Sequence, residues 1–118
     1  MTTILIVDDH PDFRTEARRL LEREGFAVIG EAGTATDARA AALALRPDVV
    51  LLDIGLPDGD GFAVATALRH AGLASAIVLT SSRDAAVYGP LLTDAPVEGF
   101  IPKDELSGSA IAALVTAA

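Results

Sequence analysis

The chain has 118 residues, 51% of them hydrophobic, a formal net charge of −8 and no cysteine. That is enough apolar material for one domain around one core, and it excludes global disorder. The acidic balance argues against a surface that grips nucleic acid or anionic lipid, and the lack of cysteine excludes disulfides, thiolate metal sites and a cysteine nucleophile. A cysteine-free chain also suits a reducing cytosol. No basic-then-apolar leader precedes Met1-Thr2-Thr3, which points away from a signal peptide. No apolar run approaches the roughly 20 residues of a membrane span.

Taken in chain order, the first element is a strand over TILIV, 3–7, which runs directly into Asp8 and Asp9. A helix follows from Pro11, with Phe13, Ala17, Leu20 and Leu21 on one face. Proline suits its first turn and Gly25 its stop. FAVIG, 26–30, is the second strand, and the Ala-rich segment 34–45 is a second helix that ends before Pro47. DVVLL, 48–52, is the third strand, and a third helix over 61–72 has Asp60 placed to cap it. AIVLT, 76–80, is the fourth strand. The helix expected over 83–94 contains Gly89 and Pro90, which shorten or kink it. GFI, 99–101, is the fifth strand, and 107–118 is the last helix, with Ser107 as its cap.

Strand and helix thus alternate five times. The pattern predicts an α/β fold: a parallel five-stranded sheet covered by helices on both faces. Right-handed crossovers leave few topologies, and the flavodoxin-like, doubly wound order 2-1-3-4-5 is the expectation. Such folds bind ligands beyond the carboxyl ends of their strands. Asp8 and Asp9 follow the first strand, Asp53 the third, Lys103 the fifth, and Thr80 ends the fourth. Three carboxylates, a hydroxyl and an ammonium therefore converge on one rim.

Adjacent carboxylates without a cation should leave at least one with a raised pKa. An oxygen-rich acidic cluster suits a hard divalent ion, Mg²⁺ first and Mn²⁺ second. Lys103 is placed to pair with Asp53, and Thr80 to donate a hydrogen bond to a phosphoryl oxygen. Asp53 becomes a carboxylate nucleophile for phosphorus. Taken singly, each residue has a plainer role: loop acids or caps for Asp8 and Asp9, a turn residue for Asp53, a strand end for Thr80, a surface lysine for Lys103. The DGDG run at 58–61 has too few acids for a calcium loop and reads as the turn before a helix. His10 and His70 have no partner at metal-ligand spacing, so solvated or capping roles are expected for both.

Over nearly its whole length the sequence resembles the receiver domain of two-component response regulators. The motifs that carry the resemblance are ILIVDDH (4–10), VVLLDIGLPDGDGF (49–62), IVLTSS (77–82) and GFIPK (99–103). The resemblance implies that Asp53 is the phosphoacceptor, that Asp8, Asp9 and Asp53 hold Mg²⁺ with the Gly55 backbone carbonyl as a further ligand, and that Lys103 contacts the phosphoryl group. It implies Thr80 as the switch hydroxyl and Phe100 as the switch aromatic. The implied donor is a phosphohistidine on a sensor histidine kinase, or a small acyl phosphate. The aspartyl phosphate formed would hydrolyse spontaneously, which makes the domain a switch and not a turnover enzyme. The face made by the fourth helix, fifth strand and fifth helix would then dimerise or dock an output domain.

By this reading residues 1–118 are one cytoplasmic receiver domain with no output domain in the chain and no direct nucleic-acid or membrane contact. DDHPDFR resembles regulators that carry a C-terminal helix-turn-helix. Pro102 precedes Lys103 and Asp104 follows it, so the lysine-proline order of many receivers is reversed. Gly55 and Ser82 are small, which leaves the acceptor open to water. Two other readings remain: a haloacid dehalogenase-type phosphatase, which would need a D-x-D pair after the first strand, and a phosphorylation-independent receiver acting as a protein-binding module.

Overall fold

The computed structural model describes residues 1–116, and the last two residues of the expected final helix lie outside them. Five strands form the main sheet: β1 (Thr3–Val7), β2 (Ala27–Ala32), β3 (Val49–Asp53), β4 (Ala76–Ser81) and β5 (Gly99–Pro102). Their order is β2-β1-β3-β4-β5, all parallel, as the alternating pattern predicts. The helices are α1 (Pro11–Arg23), α2 (Ala35–Leu45), α3 (Gly61–His70), α4 (Pro90–Asp94) and α5 (Gly108–Thr116). A two-residue antiparallel ladder, Gly55–Leu56 with Gly59–Asp60, forms a small hairpin between β3 and α3.

Alternation along the strands divides the core in two. Ile4, Ile6, Val49, Leu51, Val78 and Ile101 pack with Ala17 and Leu21 of α1 and Ile111 of α5. Leu5, Val7, Val50, Leu52, Ile77 and Leu79 pack on the other face with the α2 alanines and Val64, Ala65 and Leu68 of α3. Every residue of β3 is buried, as a central parallel strand requires.

The expected fourth helix is interrupted where the sequence predicts. A single 3₁₀ turn, Ala85–Val87, precedes Gly89, whose φ of +50° reverses the chain. Pro90 then opens a helix of only five residues. The DGDG segment does more than turn. Asp60 accepts a hydrogen bond from the Ala63 amide at 2.8 Å and caps α3. Asp58, at the hairpin tip, reaches across to α2 and accepts from the Ala35 and Thr36 amides at 2.6 and 3.1 Å. Ser107 caps α5 through the Ala110 amide at 3.0 Å. Among the described residues no peptide bond is cis, and a 3₁₀ turn, Lys103–Glu105, leads from β5 toward α5.

Three carboxylates outside the rim are held below their ordinary range, Glu31 first by its hydrogen bond with Arg18. Asp58 lies below the ordinary carboxylate range because the Ala35 and Thr36 amides donate to it. Asp48 does so because the amide and hydroxyl of Thr3 donate to it. A carboxyl depressed in the folded state contributes stability above its unfolded value, and that contribution disappears as pH falls through the folded value. Urea midpoints should therefore decline below about pH 4, and the decline should be shallower for Asp58→Asn, which retains an amide-accepting oxygen but no titration.

Candidate functional site

Parallel strands bring their carboxyl ends to one edge, and the expected residues meet there. Asp8 follows β1 and is fully buried; Asp53 ends β3 and is 4% exposed; Thr80 lies on β4 and is fully buried. Strand register sets Asp53 directly beside Thr80. Phe100 lies half-buried on β5, opposite Leu79. Lys103 enters from the turn after β5, its ammonium 2.6 Å from Asp8 Oδ2 and 3.4 Å from Asp53 Oδ2. The shorter pairing is thus with Asp8, and Lys103 bridges two acids where the sequence suggested one.

Burial, and then the charge of Asp8, pushes the Asp53 carboxyl above its ordinary range, against the opposing pull of Lys103 and the Gly55 amide. Burial alone would lower the Lys103 ammonium, but Asp8 and Asp53 outweigh it and raise it. One lysine thus serves two buried carboxyl groups, and it does not offset what burial and mutual repulsion impose on Asp53.

The donor set suits a hard cation. One ligand atom each from Asp8, Asp9, His10 and Asp53 falls within 4.8 Å of the others. Asp8 Oδ2 and Asp9 Oδ1 are buried without a directed hydrogen bond; their close neighbours are the Lys103 ammonium and the His10 ring. Lys103 already meets Asp8 Oδ2 as cation and donor, and the lone pairs left over on the clustered carboxylates suit a further cation. Gly55 is exposed, its amide donates to Asp53 Oδ1 at 3.2 Å, and a side chain there would meet nothing within 4 Å. Thr80 Oγ1 has no partner either, so a buried hydroxyl donor stands unused beside the acids. Ser82 is exposed, as an open rim requires.

Four contributors to the site were not assigned to it from sequence. His10 is not simply solvated: its backbone amide and ring Nδ1 lie 2.8 and 2.9 Å from Asp8 Oδ1, and the ring is 3.1 Å from Asp9. Phe13 places its ring under the Lys103 ammonium, 4.6 Å from the centroid, a cation–π contact. Arg14 donates to the Asp8 carbonyl at 2.6 Å and is itself held by Glu31 at 3.1 Å. Residues 10, 13 and 14 are related by helical spacing, so the DDHPDFR run held the signal. Gly61, the first residue of α3, lies so near the end of β3 that a Cβ would come within 2.7 Å of the Asp53 carbonyl oxygen.

The family model for the response regulator receiver domain matches residues 4–115. The chain is 37% identical over 102 residues to the nitrate/nitrite response regulator protein NarP of Escherichia coli, covering 86% of this chain and 47% of that one. It is 30% identical over 113 residues to the DNA-binding transcriptional activator EvgA of Escherichia coli, covering 96% and 55%. The chain thus spans about half the length of the curated relatives it matches. Among solved structures, a LuxR-family two-component response regulator from Aurantimonas sp. SI85-9A1 superposes with a TM-score of 0.89 at 30% identity, over 99% of this chain and 87% of that one.

Two expectations test the geometry. Because burial and Asp8 oppose the charge on Asp53, Asp53→Asn should raise the thermal midpoint of the metal-free protein, measured by circular dichroism. Gly61→Ala should cost about 1–3 kcal/mol in urea unfolding, since the obstructing atoms are backbone and the strand end must shift to admit the methyl.

Proposed function

Because the chain belongs to the response regulator receiver domain family, we propose that Asp53 accepts a phosphoryl group from a phosphohistidine on a sensor histidine kinase. The observation that carries this reading is the setting of Asp53: a carboxylate 4% exposed, crowded by a second buried acid, with an ammonium and an unpartnered hydroxyl beside it. That setting raises the energy of the free carboxylate and supplies donors for the charge that arrives with phosphate.

In the transfer, an Asp53 oxygen bonds to phosphorus as the bond from phosphorus to the kinase imidazole breaks, and the imidazole keeps the electron pair and gains a proton. With acetyl phosphate, the acetate oxygen leaves instead. Lys103 exchanges part of its pairing with Asp8 and Asp53 for a phosphoryl oxygen. Thr80 Oγ1 donates to another. Asp8, Asp9 and Asp53, with the Gly55 carbonyl, are the residues that would hold Mg²⁺, or Mn²⁺ in its place; the bound ion supplies charge neutralisation at the phosphoryl oxygens. Water later cleaves the aspartyl phosphate, and Gly55 and Ser82 leave its approach open. The domain acts once per signal, as a switch.

The readout follows from where Thr80 and Phe100 sit. Movement of the Thr80 hydroxyl toward phosphate frees the space on which Phe100 can turn, and the α4-β5-α5 face repacks. Val87 and Leu91 beside this face are exposed apolar residues, which supports its use for homodimerisation or for docking an output domain. DNA binding, stated in the name of EvgA, would belong to such an output domain, while this acidic unit stays clear of DNA. Among the described residues no helix is long and apolar enough to cross a membrane, and a cytoplasmic setting fits a kinase donor.

Intact-mass spectrometry after incubation with Mg²⁺ and acetyl phosphate tests the reading. The wild type should gain one phosphoryl adduct; Asp53→Ala, or chelation of the metal, should abolish it. No adduct on the folded wild type would favour a binding module that works without phosphorylation. An adduct that persists in Asp53→Ala would assign the wrong nucleophile.

A further inference from the structure

The segment between β4 and α4 is nearly unattached. From Ser82 to Leu91 every residue is exposed except Tyr88. The chain after α4 is fixed differently: Arg69 of α3 donates to the Pro96 carbonyl at 2.9 Å and pairs with Glu98 at 2.7 Å. Glu98 in turn accepts from the Ile77 amide of β4 at 2.7 Å. Within residues 82–91, Tyr88 is therefore the one side chain drawn in from solvent.

That side chain touches Ser81, Phe62 and Phe100, the last of them the aromatic of the proposed switch. The Tyr88 hydroxyl lies 2.6 Å from Ser81 Oγ, and Ser81, 5% exposed, directly follows Thr80 in β4. The Tyr88 ring stands edge-on to Phe62 of α3 at 5.8 Å and tilted against Phe100 at 6.1 Å. Ser81 Oγ also accepts from the Arg83 amide at 3.1 Å, which fixes the chain as it leaves the strand. Displacement of Thr80 toward Asp53 carries the next peptide with it, so Ser81 must stretch or break its bond to Tyr88. Rotation of Phe100 must likewise break its contact with the Tyr88 ring.

We propose that Tyr88, bound to Ser81 and braced between Phe62 and Phe100, is a positioning residue that holds Thr80 and Phe100 in their resting arrangement and so slows phosphorylation of Asp53. This rests on the reading of Asp53 as acceptor and Thr80 as switch hydroxyl. The tether acts as a bias on a two-state equilibrium: a hydrogen bond present in one state only shifts the populations by its net worth. The competent state is the one that phosphate selects, so the rate of adduct formation follows its population.

The test is a double-mutant cycle on the rate of phosphorylation by acetyl phosphate at fixed Mg²⁺, read by intact mass. Tyr88→Phe keeps both ring contacts and loses only the hydroxyl; Ser81→Ala loses the partner. Each should accelerate adduct formation by about threefold or more, and the double variant should be no faster than the faster single variant. Thermal midpoints measured alongside identify a merely structural bond: stability falls while the rate stays at the wild-type value, and that result overturns the proposal. So do a slower rate in either single variant, and rate effects that multiply in the double variant. A wild type that takes no Asp53-dependent adduct overturns the acceptor reading and this one together. It is told apart because the wild-type control itself is silent.

Discussion

Two buried carboxylates that share one ammonium are the constraint on which the rest of this molecule depends. Asp8 and Asp53 are withdrawn from water on adjacent strands, and Lys103 lies within reach of both. One positive charge cannot satisfy two negative ones in a low-dielectric edge. The residual charge is what makes a divalent cation welcome there and what keeps Asp53 an electron-rich oxygen donor. The arrangement costs stability at the site proposed for phosphoryl transfer, and the two apolar layers on either side of the sheet offset it.

Holding that edge in place takes residues outside the cluster of acids itself. Arg14, anchored by Glu31, secures the Asp8 carbonyl; Phe13 supports the Lys103 ammonium from beneath. Gly61 lets the start of α3 press against the end of β3, and the hairpin between them sends Asp58 across to the head of α2. Each acts on backbone or on a neighbouring side chain, so the acids are aimed by their surroundings rather than by their own rotamers. Tyr88 has the corresponding place on the opposite flank, between strand β4 and the aromatic on β5.

The α4 flank is built loosely. Gly89 and Pro90 reduce α4 to five residues, and the chain before it is exposed apart from Tyr88. Few apolar contacts and short hydrogen-bonded turns place such a segment at the low end of local stability. A switch needs an element whose two arrangements differ little in energy, and a densely packed helix here would resist the change.

The sequence by itself determined the architecture and most of the site. Short β-branched runs alternating with helical segments admit little besides a parallel, doubly wound sheet, and chain direction in such a sheet sends Asp8, Asp9, Asp53, Thr80 and Lys103 to the same rim. Local chemistry was legible too: Asp60 and Ser107 cap the helices they precede, and Gly89 and Pro90 break the helix they interrupt. What only the tertiary structure decided were relations between residues far apart in the chain. That Lys103 sits nearer Asp8 than Asp53, that Asp58 caps α2, that Phe13 lies under Lys103 and that Tyr88 binds Ser81 all depend on distances between separate elements. Periodicity and capping act over a few residues and can be read in one dimension. The pairing of a buried charge is settled by whichever partner the packed helices bring within reach.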